Sequence, residues 1–154
     1  MVLTFIVAAV VFLSDFIIKS QLNQYTPADS YPVIKNIFHI TLVHNTGAAF
    51  GIFSGYTLPL VFIGLVFTFL FLFYVNKEIN KTSLFCLSCG LILGGALNNL
   101  YDRISLGYVV DYLDFRIWPV FNLSDTCISI GAVFLSYYLL KQKPSDDKRT
   151  KNRN

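Results

Sequence analysis

Four long runs of apolar residues, separated by polar stretches, dominate the pattern along the chain. A helix needs about 20 apolar residues to cross the hydrocarbon core of a bilayer. Each run meets that length, so the pattern predicts four transmembrane helices at about residues 2–22, 57–75, 83–100 and 120–140.

The connection between the first two spans has a different pattern. Ile34, Phe38, Ile40 and Leu42 alternate with more polar neighbours, and a period of two is typical of a strand with one buried face. This segment therefore predicts a small strand-rich element on the outer membrane surface. The second outer segment, residues 101–119, mixes polar and aromatic residues without a clear period.

Composition indicates the environment of the chain, and the distribution of basic residues predicts its orientation in the membrane. The chain is 55% hydrophobic with a mean hydropathy of +0.58, which indicates the bilayer as its solvent. Lys77, Lys81 and the six basic residues of the tail put eight of the twelve basic residues on one side, so both termini are expected in the cytoplasm. Residues 1–140 then form one membrane-embedded domain, and 141–154 a disordered basic tail. The rings expected at the outer interface are Tyr101, Tyr108, Tyr112 and Trp118.

Polar side chains inside the spans fall at a common depth. With this orientation, every costly polar group lies in the half of the membrane near the outer surface, and such groups usually face the protein interior and mark function. Asn99 lies three residues before Asp102 and four residues before Arg103, which places all three on one helix face. The residues at this depth are Asp15, Lys19, Asn98, Asn99, Asp102, Arg103, Asn122 and Asp125.

Two interpretations of the acidic residues stay open on spacing alone. Asp15 and Lys19 are four residues apart and form either a structural ion pair or part of a site. Asp125 has no basic residue within a turn or two, so a residue from another segment must accommodate it, and Asp111 is a candidate. Two neighbouring carboxylates share one proton, an arrangement that can activate water against a carbonyl group.

Other catalytic chemistry finds no support in the sequence. Both histidines, His39 and His44, lie in the strand-rich segment, and no metal-ligand set or phosphate-binding loop is apparent. Cys86 and Cys89 lie inside an apolar run without a nearby histidine, which favours a packing role.

Two functions without catalysis are also compatible with four spans and buried acids. A small transporter or proton channel would use a relay of ionisable groups through the whole membrane, whereas the inner halves of these spans lack acidic and basic residues. A non-catalytic assembly factor would bind lipid or lipoprotein in the groove that holds these polar groups. It would tolerate replacement of Asp111 and Asp125 by asparagine.

Five motifs in this order resemble the lipoprotein signal peptidase (signal peptidase II) family, the bacterial intramembrane aspartyl peptidases. The resemblance runs from about residue 15 to residue 131 and covers all four spans. The motifs are DFIIK (15–19), HNTGAAFG (44–51), GGALNNLYDRI (94–104), GYVVDYLDF (107–115) and FNLSDTCISIG (121–131).

This resemblance implies an activity and a catalytic pair. The family removes the signal peptide from prolipoproteins by cleaving before a diacylglyceryl-modified cysteine, at the outer face of the bacterial cytoplasmic membrane. Asp111 and Asp125 match the two catalytic aspartates of the family motifs. The matching substrate-binding or supporting positions are Asp15, Lys19, Asn45, Gly47, Asn99, Asp102, Arg103 and Asn122.

The resemblance also implies the fold and the partners. The expected fold is an all-α membrane protein, a bundle of four transmembrane helices with a small extracytoplasmic β-cradle. No metal or other cofactor is expected, and no nucleic acid. The expected partners are prolipoproteins, membrane lipids and inhibitors of the globomycin type, and the chain is expected to act as a monomer.

Two positions depart from the family pattern. Asn98 stands where the family usually has glycine, and Ser124 where it often has alanine. Neither change removes a carboxylate, so we expect them to affect substrate preference rather than activity.

Overall fold

A computed structural model of the chain describes residues 1–22, 30–47, 53, 55–78 and 81–142. Most of the tail and part of the HNTGAAFG motif lie outside these residues, so the predictions for them stay untested. The helices are α1 (Val2–Leu22), α2 (Thr57–Lys77), α3 (Ser83–Ser105) and α4 (Leu123–Lys141), and the strands are β1 (Ser30–Ile34), β2 (Phe38–Asn45) and β3 (Val109–Asp114).

The four predicted spans are confirmed as helices, and the largest shifts are at the end of α3 and the start of α4. All four are long and apolar enough to cross a membrane. α3 continues to Ser105 and is terminated two residues later by Gly107, whose φ of +84° suits a glycine and whose N–H donates to the carbonyl oxygen of Arg103. α4 begins only at Leu123, because Phe121 is still paired with Leu113 of β3.

α3 is the central helix of the bundle. It is 67% buried over its apolar stretch, against 11% for α2, and it packs against α1, α2 and α4. Close approach depends on Gly94 and Gly95, which point to opposite sides. A Cβ atom on Gly94 would lie 2.5 Å from the carbonyl oxygen of Ala8 in α1, and one on Gly95 would lie 2.5 Å from that of Ser124 in α4.

The strands form one antiparallel sheet in the order β1-β2-β3. The predicted strand-rich segment is confirmed as the hairpin of β1 and β2, which turns at Asn36 with a φ of +62°. β3 comes from the outer segment that shows no period. Five of its six residues are buried, so both faces of the strand are covered and the polar alternation of a half-exposed strand is absent.

The register of the sheet brings the first outer segment to the second. Val43 of β2 pairs with Asp111 of β3, and Asn45 pairs with Val109. The start of β3 is also joined to α3, because the N–H of Val110 donates to the Asp102 carboxylate at 3.2 Å. The sheet therefore fixes Asp111 next to the C-terminal end of α3.

Substitution of Gly95 by Ala tests the close packing of α3 on α4. The added methyl group meets backbone atoms of Ser124, which cannot move without shifting α4, so we expect a loss of about 1–3 kcal/mol in the free energy of unfolding. Gly64→Ala is the control, because its methyl group would meet only the end of the Leu100 side chain. Equal thermal stability of the two variants in detergent would contradict this packing.

Candidate active site

Asp111 lies in the middle of β3 and is almost fully buried, with 2% of its surface exposed. Two side-chain amides donate to its carboxylate. Asn45 Nδ2 lies 2.9 Å from Oδ2, and Asn122 Nδ2 lies 2.7 Å from Oδ1. Each oxygen of this carboxylate thus has a neutral donor from a different segment.

Asp125 occupies the first turn of α4, where its position follows from helix capping. Asn122 is the N-cap residue, and its Oδ1 accepts the N–H of Asp125 at 2.8 Å, while Asp125 Oδ2 accepts the N–H of Asn122 at 3.3 Å. This reciprocal pair is a capping box with an aspartate in the place of the usual glutamate. Asn99 of α3 donates to the remaining oxygen, Asp125 Oδ1, at 2.8 Å.

Asn122 joins the two carboxylates. Its side chain donates to Asp111 and its backbone N–H donates to Asp125, so one residue contacts both. Burial, and then the charge of Asp125, raise the pKa of Asp111 to about 7. The titrations of the two acids are therefore coupled, and Asp111 holds its proton to a higher pH than an ordinary aspartate does.

The orientation of each amide is fixed by the donors that its oxygen accepts. Asn122 Oδ1 faces the N–H of Asp125, and Asn45 Oδ1 faces the N–H of Gly47 at 3.0 Å. Asn99 Oδ1 accepts from Asn122 Nδ2 at 3.1 Å and from Lys19 Nζ at 3.2 Å. Since the oxygens are occupied by donors, all three amides turn their NH2 groups toward a carboxylate.

A buried ionic cluster lies behind the pair. Lys19 Nζ contacts Asp15 Oδ2 at 2.9 Å, Asp102 Oδ2 at 2.8 Å and Asn98 Oδ1 at 2.8 Å. The ammonium group is thus shared between two carboxylates, which compensates buried charges that would otherwise be costly. Through Asn99 the cluster is connected to the candidate catalytic pair.

The two departures from the family pattern belong to this cluster. Asn98 is fully buried and, besides accepting from Lys19, donates to the carbonyl oxygen of Phe12 at 2.9 Å, which ties α3 to α1. Ser124 is fully buried as well, and its hydroxyl group donates to Asp15 Oδ2. Both side chains therefore contact the supporting ion pair, and neither contacts a carboxylate of the candidate catalytic pair in the bonds described here.

A cavity of about 740 Å³ opens beside the pair. Five of the predicted site residues line it, and the rest of the wall is mainly apolar and comes mostly from the segment after β3 and the first turns of α4. The predicted site residues that line it are Asn45, Asn99, Arg103, Asp111 and Asp125, and Thr126 and Ser129 of α4 add two hydroxyl groups. The main apolar ones are Phe115, Ile117, Trp118, Val120, Phe121 and Ile128.

The other predicted site residues lie behind the cavity. Gly47 anchors two lining residues, since its N–H donates to Asn45 and its carbonyl oxygen accepts from Arg103 Nη2 at 2.9 Å. The sequence places Asp102 on one face with Asn99 and Arg103, but its carboxylate turns inward to Lys19 and Val110. The predicted set is thus divided into a lining group and a supporting group.

Tyr112 is a residue that sequence reasoning misplaces. It is predicted at the outer interface but is 3% exposed, with its hydroxyl group 2.7 Å from Asp15 Oδ1. The prediction considers only the depth of the residue and the amphipathic character of its ring. In the structure the buried Asp15 carboxylate of α1 accepts from the hydroxyl group and fixes the position of the ring. A polar aromatic residue next to a candidate catalytic aspartate is the signal that could have suggested it.

Among the described residues, no three His, Cys, Asp or Glu side chains form a group that could hold a metal ion. The chemistry that the site supports is acid–base chemistry by two electrostatically coupled carboxylates beside a mainly apolar cavity.

Comparison with known proteins assigns the family. The family model for signal peptidase (SPase) II matches residues 7–141. The chain belongs to the signal peptidase II family. It is 46% identical over 147 residues to the lipoprotein signal peptidase of Halothermothrix orenii, a match that covers 94% of this chain and 100% of that protein. The lipoprotein signal peptidase of Caldanaerobacter subterraneus subsp. tengcongensis is 44% identical over 136 residues, which is 88% of this chain and 93% of that protein.

Solved structures agree with this assignment. A bacterial membrane enzyme determined by the in meso method at 2.3 Å resolution is similar with a TM-score of 0.86 and 28% identity, over 95% of this chain and 92% of that one. A second one, at 1.9 Å, gives a TM-score of 0.81 and 29% identity, over 91% of this chain and 94% of that one. This signal peptidase II is therefore a multi-pass membrane peptidase with the expected helical bundle and small sheet.

Removal of the Lys19 ammonium group tests the ionic cluster. In Lys19→Met, Asp15 and Asp102 lose their shared cation while buried, so we expect a loss of about 3–5 kcal/mol in the free energy of unfolding. Lys81→Met is the control, because Lys81 bonds only a carbonyl oxygen near the surface in the described contacts. Similar unfolding of both variants in a denaturant titration would disprove the role of the cluster.

Proposed function

We propose that this signal peptidase II uses Asp111 and Asp125 to remove the signal peptide from prolipoproteins, cleaving before a diacylglyceryl-modified cysteine. The observation that carries the proposal is the contact of Asn122 with both carboxylates at the edge of one cavity. Family membership supplies the substrate class, because the relatives with 46% and 44% identity are lipoprotein signal peptidases.

The proposed roles of the two acids differ. Asp125 lies in the first turn of α4, where the positive end of the helix dipole favours a negative charge. Asp111, with its pKa raised to about 7 by burial and by the charge of Asp125, holds the shared proton. Asp125 is thus the base and Asp111 the acid in the resting site.

Hydrolysis then follows from this assignment. Asp125 takes a proton from a water molecule while the water oxygen bonds to the scissile carbonyl carbon, and Asp111 gives its proton to the carbonyl oxygen. When the resulting gem-diol collapses, the C–N bond breaks, Asp125 returns its proton to the leaving nitrogen, and Asp111 recovers a proton from one hydroxyl group. Both acids end in their starting states.

The remaining lining residues are proposed to position the substrate. The Asn45 and Asn99 amides hold the carboxylates, and Arg103, which lies beside them in the cavity wall, is placed to bind carbonyl groups of the peptide. The apolar wall suits the lipid-modified cysteine, and Ile117 and Trp118, 93% and 59% exposed, extend it toward the surrounding lipid. Inhibitors of the globomycin type are proposed to occupy the same cavity.

The location of the site follows from the charges at the helix ends. Lys77 and Lys141 lie in the last turns of α2 and α4, at the opposite end of the bundle from Asp125 in the first turn of α4. With basic ends in the cytoplasm, both termini are cytoplasmic and the pair lies near the outer leaflet of the cytoplasmic membrane. Asn45, Asn99 and Asn122 of the same chain bond the two carboxylates, and the enzyme is proposed to act as a monomer.

Replacement of either acid by asparagine tests the catalytic pair. Asp111→Asn and Asp125→Asn keep the side-chain size but remove proton transfer, so we expect kcat to fall by at least about a thousandfold. The measurement is cleavage of a diacylglyceryl-modified precursor by the purified enzyme. Asp114→Asn is the matched control, since Asp114 is a buried aspartate of the same strand that bonds Thr41 and Arg116 instead.

The outcome also separates the peptidase from a non-catalytic assembly factor. A factor that only binds lipoproteins would keep its function in both Asp→Asn variants, and full processing of the precursor by either one would refute the proposed pair.

The pH dependence tests the proton on Asp111. The neutral acid is the active form and its pKa is raised to about 7, so the rate should be constant well below pH 7, fall to about half near pH 7 and decrease about tenfold per unit well above it. Initial rates between pH 5.5 and 9, with folding followed in parallel by near-ultraviolet circular dichroism, give the profile. A flat rate up to pH 9 would contradict the assignment.

A further inference from the structure

Tyr112 follows Asp111 in β3 and has no part in the hydrolysis described above. Because side chains alternate along a strand, its ring lies on the face opposite to the Asp111 carboxylate. The ring is buried, with 3% of the residue exposed, and its hydroxyl group reaches the space between β3, α1 and the start of α4.

The hydroxyl group uses both of its hydrogen-bonding capacities. It donates to Asp15 Oδ1 of α1 at 2.7 Å and accepts the backbone N–H of Leu123 at 3.2 Å. Burial and the Asp15 carboxylate raise the pKa of Tyr112 above its usual value, so the donation to Asp15 persists wherever the enzyme is active.

The backbone N–H that donates to the Tyr112 hydroxyl group belongs to the turn of α4 that carries Asp125. Leu123 is the first residue of α4, adjacent to Asn122 and two residues before Asp125. One oxygen atom therefore connects the strand residue next to Asp111 with the helical turn that carries Asp125. In addition, the Tyr112 N–H donates to the carbonyl oxygen of Phe121 at 3.0 Å, so the strand and the approach to α4 are joined at two neighbouring points.

We propose that Tyr112 is a positioning residue whose hydroxyl group holds β3 and the first turn of α4 at the spacing that the two carboxylates need to share one water molecule. The inference rests on the proposed function of Asp111 and Asp125. Catalytic groups must be held to within about 0.5 Å of the productive geometry, and a displacement of about 1 Å can cost a hundredfold in rate. The peptide-binding cavity is not lined by Tyr112, so substrate affinity should depend little on it.

Tyr112→Phe deletes only the hydroxyl group. We expect kcat per folded enzyme to fall by about tenfold to a hundredfold while KM stays within about twofold of the original value. Tyr138→Phe is the matched control. Tyr138 is similarly buried, 6% exposed, and its hydroxyl group accepts from Gln142 at 2.6 Å, but this contact joins residues near the other end of α4. Tyr138→Phe should therefore lower thermal stability without changing kcat.

Leu123→Pro removes the contact of the Tyr112 hydroxyl group with α4 from the α4 side. Proline is well tolerated at the first position of a helix, and Asn122 has the extended conformation, φ −127° and ψ 178°, that a residue before proline prefers. The change removes the N–H that donates to Tyr112, and the proline Cδ atom, which takes the place of that hydrogen, pushes against the hydroxyl oxygen. It should lower kcat in the same range, and in combination with Tyr112→Phe the two effects should not multiply.

The measurements are kcat and KM for cleavage of a diacylglyceryl-modified precursor, with the folded fraction determined for every variant. A kcat of Tyr112→Phe within twofold of the original enzyme, or a fall equal to that of Tyr138→Phe, would overturn the positioning role while leaving the catalytic pair intact. Full activity of Asp111→Asn would overturn the proposed function, and with it this inference.

Discussion

Asn122 caps the N-terminus of α4 with its amide oxygen and binds Asp111 with its amide nitrogen, at 2.8 Å and 2.7 Å. The cap is a local requirement of the helix, whose first N–H groups lack partners. Because the oxygen is committed to the cap, the nitrogen must point away from the helix, toward β3. The capping geometry at the start of α4 thereby determines where the Asp111 carboxylate is held. The other residues of the site are arranged around the Asn122 side chain.

The ionic cluster behind Asp111 and Asp125 supports this arrangement, but burying its charges costs free energy. Removing Asp15, Lys19 and Asp102 from water is unfavourable, and their mutual attraction offsets this only with good geometry and further hydrogen bonds. Here Asn98, Ser124 and Tyr112 supply those bonds from three segments. The cluster joins α1 to α3, β3 and α4, so it fixes the relative position of the elements that carry the candidate catalytic acids. Asn98 and Ser124 fit this role, which connects the chain's departures from the family pattern to support of the site rather than to its lining.

Much of this arrangement can be predicted from the sequence, and the limits have physical reasons. Hydropathy predicts the four helices, and a period of two predicts the β1–β2 hairpin, because each signal is local. β3 has no such signal, since it is covered on both faces. The spacing of Asp15 and Lys19 predicts their ion pair, but helical periodicity alone cannot separate Asp102 from Asn99 and Arg103, because the neighbours that divide them come from α1 and β3. The proximity of Asp111 and Asp125 depends on Asn122, whose two contacts arise only once strand and helix are assembled.

The most direct test of the shared-proton pair is an experimental structure of the enzyme with a peptide analogue that carries a hydroxyl group in place of the hydrated scissile carbonyl. The pair predicts that this single hydroxyl oxygen lies within about 2.5–3.0 Å of one carboxylate oxygen of Asp111 and one of Asp125. An analogue whose hydroxyl group contacts only one of the two aspartates, with the other still bonded to its asparagines and away from the ligand, would contradict the account.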